Sequence, residues 1–173
     1  MKESTGTASE GNSNLAELAG KYLTFSLGNE TYGIEILRVQ EIIGLMSITR
    51  VPKTPEYVRG VINLRGKVIP VVELRKKFAL DGVEDTERTC IIVLQVDLGD
   101  VSITMGILVD EVSEVVDIVA NQIEPPPSFG GSVDTDYILA MGKIAEFVVI
   151  LLDVNKVLTE GEMGLMTSLG RSE

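Results

Sequence analysis

Leu23, Phe25 and Leu27 alternate with polar residues in KYLTFSLGN, and the alternation breaks at Gly28-Asn29 before TYGIEI resumes an apolar run. Period-two spacing interrupted by a Gly-Asn pair predicts a half-buried β-hairpin. After Gly33 the spacing changes. Ile36, Val39 and Ile43 fall at i, i+3 and i+7, predicting that the strand runs into a short helical turn. Thr54-Pro55-Glu56 offers an N-cap, a proline suited to the first helical position and an acid behind it, predicting one or two helical turns that end at Gly60. A second hairpin is predicted from VINL and KVIPVVEL, joined at Arg65-Gly66, followed by LRKKFAL and the acidic stretch DGVEDTER, read as the junction between two halves.

Past that junction the pattern starts again. In CIIVLQVDLGDVSITMGILV, Leu98-Gly99-Asp100 answers Leu27-Gly28-Asn29, and Gly106-Ile107 answers Gly33-Ile34, at offsets of 71 and 73 residues. Val112 and Glu114 then answer Val39 and Glu41. At an offset of 80, YILAMGKIAEFVVILLDVNKVL (137–158) falls on YVRGVINLRGKVIPVVELRKKF (57–78) without a gap. Three matched blocks in one order indicate an internal duplication. The copies differ most at their second hairpin: Arg59 faces Leu139, Gly60 faces Ala140, and Arg65-Gly66 faces Ala145-Glu146.

Each copy supplies four or five short Val- and Ile-rich strands, and closing them on themselves removes exposed edges. The expectation is a mainly β protein of two packed five-stranded SH3-like barrels with short helical turns. The first barrel is placed at about 20–80 and the second at about 88–158, with strand exchange between them allowed. Met163, Met166 and Leu169, at i, i+3 and i+6, predict a closing helix over about 159–170. Residues 1–14 are small and polar and read as a disordered extension, after which Leu15 and Leu18 suggest a helical turn.

Composition removes whole classes of chemistry. A formal net charge of -11 would repel a phosphate backbone. The chain has no histidine, and therefore lacks the commonest general base and the usual metal ligand. Cys90 is the single cysteine, read as a small apolar core group in a reducing compartment. GVINLRGK (60–67) fails as a phosphate loop because five residues separate its glycines and Val68 stands where Ser or Thr would hold magnesium. FVVILL (147–152) is too short to span a bilayer, and the N-terminal stretch lacks a signal-peptide core, so a cytoplasmic protein is expected. Without a reactive centre, binding is the default function, and no cofactor or metal is expected.

YGIEILRVQEI (32–42), Val51-Pro52, the run from Tyr57 to Phe78, MGILVDEVSEVV (105–116) and LLDVNKVL (151–158) together resemble the bacterial chemotaxis coupling protein family CheW. The resemblance implies two packed β-barrels and no catalysis. It implies an adaptor between the cytoplasmic tips of methyl-accepting chemoreceptors and the regulatory domain of the histidine kinase CheA, recruited to membrane receptor arrays and able to join the kinase in rings. It carries a receptor-binding role onto Arg65, Val39, Glu41, Gly60, Asn63 and Leu64, with Arg65 first. A kinase-binding role falls on Ile92, Val112 and Val115, matched as apolar surface positions. Ordinary readings stand beside these: a solvated hairpin arginine, a core Val39 with Glu41 as a surface charge, a Gly60 that serves core geometry, and simple packing at the three apolar positions. A ligand-binding or enzymatic barrel is the alternative of a different class, and would need a deep pocket lined by polar groups.

Overall fold

The computed structural model describes residues 15–81, 84–127 and 136–171. Strands β1 (Gly20–Leu27) and β2 (Glu30–Glu35) form the first hairpin, with Gly28 at φ 63 in its turn. The helical spacing after Gly33 materialises only as a 3-10 turn, Ile36–Arg38. Val39 returns to extended backbone as β3 (Val39–Gly44), because this β-branched stretch gains a ladder against β6 (Cys90–Asp97). No helix forms at Thr54. Its Oγ1 donates backwards to the Val51 carbonyl at 2.8 Å instead of capping, and residues 52–57 make only turns before β4 (Val58–Leu64) pulls the chain straight. Next come β5 (Lys67–Glu73), the one-turn helix α1 (Leu74–Lys77), β7 (Ser102–Val109), β8 (Glu111–Ile118), β9 (Ile123–Glu124), β10 (Ile138–Ile144), β11 (Phe147–Leu152) and helix α2 (Glu160–Arg171). Among the described residues no helix is long and apolar enough to cross a membrane.

The strands form two sheets, one ordered β8-β1-β2-β11-β10-β9 and the other β3-β6-β7-β5-β4. Neither is confined to 20–80 or to 88–158. The opening hairpin of each copy lies in the sheet that holds the closing hairpin of the other, joined through parallel pairs, β2 with β11 and β5 with β7. The chain therefore crosses between sheets at Ile36–Arg38 and again at Asp110.

Both sheets contribute to one shared core. Leu23, Phe25, Leu27 and Ile34 from the first sheet meet Val58, Val72, Ile92, Leu94 and Ile107 from the second. Helix α2 closes this core with Met163, Met166 and Leu169, all buried. The outer face of each sheet carries a smaller cluster, around Tyr22, Ile118 and Leu151 on one and Ile62, Val71, Ile91 and Val93 on the other. An aromatic run, Phe25–Tyr32–Phe78–Tyr137, steps through the shared core with ring centroids 5.9, 5.7 and 5.1 Å apart.

One polar clasp fixes the sheets against each other. Asp110, at the crossing from β7 to β8, accepts from Arg75 Nε at 2.8 Å and Nη2 at 2.6 Å, and from the Gly28 N–H at 2.8 Å. Arg75 also donates to the Asp81 carbonyl at 2.5 Å. A helix after β5, a turn of the first hairpin and a crossover are thus held by one carboxylate.

Candidate docking site

The β4–β5 hairpin turns in two residues, Arg65 at φ 53 and Gly66 at φ 89. Two left-handed residues match the right-handed twist of the flanking strands. Asn63 Oδ1 accepts from the Gly66 N–H at 2.9 Å, so this exposed asparagine closes the turn. Arg65 occupies a conformation that asparagine or glycine adopts more easily. The matching residue of the second copy, Ala145, sits at φ 55, so the turn itself does not require an arginine. The Arg65 side chain is 71% exposed, and its guanidinium donates to Glu41 on β3.

Gly60 positions this hairpin from within. It is buried at a bulge in the β4–β5 ladder, at φ 147, and a Cβ there would lie 2.2 Å from the Thr49 carbonyl oxygen. Thr49 and Val61 exchange backbone hydrogen bonds of 2.8 Å in each direction, tying the segment after β3 to edge strand β4. The ordinary reading of Gly60 is the one its surroundings support: it serves the close approach of two backbones and offers no surface. Leu64 is half-buried against the outer cluster of its sheet, as are Ile43, Met46 and Ile48, and Val39 is half-buried against the shared core. Two apolar residues to which the sequence assigns no role follow Glu41: Ile42 is 44% exposed and Leu45 is 39% exposed. Ile42 stands opposite the core residue Ile92 but on an edge strand, which leaves it partly uncovered, and Leu45 lies just beyond the end of β3.

Of the three apolar positions assigned to the kinase, Ile92 is corrected. It is fully buried, because β6 is the second strand of its sheet and is covered on both faces, Ile92 and Leu94 by the shared core and Ile91 and Val93 by the outer cluster. Val112 is half-buried against the shared core, whereas Val115 on edge strand β8 is 48% exposed. Val119, 52% exposed, continues that patch, with Glu114 and Asp117 exposed beside it.

Charge is segregated along the chain. From Arg50 to Lys77 lie eight of the 15 Lys and Arg residues but only two of the 26 Asp and Glu. Five of the eight form ion pairs within the fold: Arg59 with Asp85 and Glu73, Arg65 with Glu41, Arg75 with Asp110, Lys76 with Glu73, and Lys77 with Glu162. Arg65 is exposed despite its pair, as are the remaining three, Arg50, Lys53 and Lys67. The matching stretch of the second copy, 130–157, holds Lys143 and Lys156 against Asp134, Asp136, Glu146 and Asp153. One half of a strongly acidic protein thus presents a cationic hairpin, and the other half presents an apolar and acidic one.

Comparison with known proteins matches residues 21–162 to the CheW-like domain. The chain is 41% identical over 167 residues to the chemotaxis protein CheW of Klebsiella aerogenes, covering 94% of this chain and 98% of that protein. It is 35% identical over 139 residues to the CheW of Bacillus subtilis, covering 80% and 86%. Its fold is similar to the crystal structure of the scaffolding protein TtCheW from Thermoanaerobacter tengcongensis, with a TM-score of 0.73 and 36% identity over 83% of this chain and 96% of that one.

Proposed function

Because the chain belongs to the CheW-like family, we propose that it is a non-enzymatic adaptor that couples transmembrane chemoreceptors to the histidine kinase CheA. The observation that carries this reading is the Arg65 hairpin: an exposed cation that the turn does not need, present in one copy of a duplicated element and absent from the other. The description of TtCheW as a scaffolding protein supports the same class of function.

In this reading the helical tip of the receptor lies along β3 and the β4–β5 turn. Ile42 and Leu45 give up water to an apolar helix face, and Arg65 presents its planar fork to a receptor carboxylate or carbonyl. Glu41, Asn63, Leu64 and the buried Gly60 shape and hold that turn. Val39 contributes from beneath, through the core. The kinase regulatory domain takes the second face, on which Val115 and Val119 form an apolar patch with an acidic rim, and Val112 supports it from the core side. Two separate faces let one molecule hold both partners and enter rings with the kinase beneath a receptor array.

Arg65→Glu tests the assignment. The expected result is at least a tenfold loss of affinity for a receptor hairpin fragment, with unchanged affinity for the kinase regulatory domain and an unchanged melting temperature, since the side chain is solvated. Isothermal titration against each partner reads it directly. Retention of both affinities would remove Arg65 from the site, and failure of the unmutated protein to bind either partner would end the adaptor reading.

A further inference from the structure

Helix α2 connects the two sheets. The chain enters it from β11 of the first sheet, and α2 then packs on β5 and β7 of the second, so it straps one sheet to the other. Its sequence, EGEMGLMTSLGR, is a poor helix former: three of its 12 residues are glycines, Gly161, Gly164 and Gly170. Gly161 and Gly164 are exposed, neither adopts the left-handed backbone, and a Cβ at either would meet nothing within 4 Å. Neither packing nor backbone geometry calls for glycine there, yet each weakens the helix relative to alanine. Thr167 weakens it further by donating its hydroxyl back to the Met163 carbonyl at 3.0 Å. We infer that α2 is a strap that opens on its own: it unseats as a unit while both sheets keep their ladders, and Gly161 and Gly164 set how often it does so.

Two fastenings define the closed state. At the first turn of α2, Thr159 Oγ1 accepts from the Glu162 N–H at 3.2 Å and Glu162 Oε1 accepts from the Thr159 N–H at 2.7 Å, a reciprocal cap. The same Glu162 carboxylate accepts from Lys77 Nζ at 2.6 and 2.7 Å, which ties α2 to the end of α1, and that ammonium stands 5.1 Å from the centroid of the Tyr57 ring. Farther along, Met163, Met166 and Leu169 enter the shared core. Two of these three anchors are methionine, whose unbranched and flexible side chain adapts to irregular gaps and specifies one seating less sharply than a branched one.

The seat is loosely built. On one flank of α2, Gly164 and Thr167 look across an open groove toward the β6–β7 turn, with Leu98, Gly99 and Asn155 also lining it. Beneath the segment that leads from β11 into α2, a small apolar cavity remains between the sheets, lined by Leu74, Leu94, Leu152 and Leu158 among others. A helix with few neighbours on one flank and a void near its base forfeits little dispersion attraction when it leaves. The strands beside it are held far more firmly. β6 pairs with β7 along its whole length, from Cys90 opposite Val109 to Asp97 opposite Ser102, and Ile92 and Leu94 are buried within it. Once α2 lifts, the joint between the sheets loses the three side chains that close it and can loosen without either ladder breaking.

Hydrogen exchange of the whole protein, followed amide by amide over a series of urea concentrations below the unfolding transition, is the test. Amides from Met166 to Leu169 should exchange at least about a hundredfold faster than those of Ile92 and Leu94. Their rates should also rise far less steeply with urea, because one helix exposes little surface on opening. In Gly161→Ala/Gly164→Ala the α2 amides should slow about 25-fold, roughly fivefold for each glycine replaced. Lys77→Gln removes a fastening and should speed them at least about threefold, with the shallow urea dependence kept. Equal rates and equal urea dependence in α2 and β6 would overturn the strap, since α2 would then leave only when the whole fold does. Unprotected rates throughout α2 would overturn it too, because there would be no closed state to open. Unchanged α2 rates in either variant would do the same.

Discussion

Gly60→Ala is expected to lower the free energy of unfolding by roughly 3–5 kcal/mol, from backbone strain and overpacking together. At φ 147 the residue lies where a side chain is strained whatever the space around it. Space is lacking as well. The added Cβ would meet the Thr49 carbonyl oxygen at 2.2 Å, the Thr49 carbonyl carbon at 2.8 Å and Ile48 Cγ2 at 2.9 Å. Two of these three atoms are backbone, and they belong to the residue that exchanges hydrogen bonds with Val61, so relief requires breaking the bridge between the segment after β3 and β4. Chemical denaturation of the variant checks the magnitude. A surviving fraction of folded protein should also bind receptor poorly, because the same bridge sets the position of the Arg65 turn relative to Glu41. The matching second-copy residue, Ala140, is buried without a positive φ, which shows that the need for glycine is local to the first copy and not inherited with the duplicated hairpin.

Asp110→Ala is expected to cost about 2–3 kcal/mol at neutral pH, because it leaves the Arg75 guanidinium and the Gly28 N–H without their acceptor. Both side chains of the pair are largely buried, Arg75 at 14% and Asp110 at 26% exposure, so water replaces the lost bonds only in part. The cost also depends on pH. Burial pushes the Asp110 carboxyl up, but the Arg75 hydrogen bonds, the Gly28 N–H and the Arg75 charge pull it down further, and its pKa lies below the ordinary value. A carboxyl lowered on folding stabilises fully above its unfolded pKa, near 3.9, and that contribution fades as pH falls through the folded value. Thermal melts of the two proteins should therefore differ by a constant amount from about pH 5 to 8 and converge in stronger acid. A difference that persists unchanged at pH 2 would mean that the clasp acts through packing and not through charge.

The local elements were legible in the sequence wherever a turn announced them. Gly28-Asn29, Arg65-Gly66 and Leu98-Gly99-Asp100 each sit between apolar runs, and each begins or ends a hairpin. Met163, Met166 and Leu169 announced α2 by spacing alone. Strand exchange between the barrels was allowed for, but which strands change sheets was not legible, for a physical reason. Strand β2 pairs in parallel with β11 rather than with β5, yet IPVVEL and VILLDV present the same apolar pattern to a neighbour, so either pairing satisfies the alternation. Thr54 misled because a good capping sequence was followed by only three residues before Val58 entered the ladder. Ile92 misled because a strand covered on both faces shows no alternation from which an outer face can be picked. Cys90, expected in the core, is half-buried at the start of β6, with its thiol toward the Arg88 carbonyl at 3.3 Å. Arg65 and Glu41 were each singled out through the family resemblance, but nothing in a chain that separates them by 24 residues announced that they meet. Residues 1–14, expected to be a disordered extension, lie outside the described residues.

Bridging is the property that defines an adaptor, and one sedimentation experiment tests it: receptor hairpin fragments displayed on vesicles, the soluble kinase regulatory domain, and this protein added or withheld. The account predicts that the kinase domain sediments with the vesicles only when the protein is present. It also predicts that Arg65→Glu abolishes this sedimentation while still binding the kinase domain in solution. A protein that binds each partner separately but never both at once, or a kinase domain that sediments equally well without it, would contradict the account.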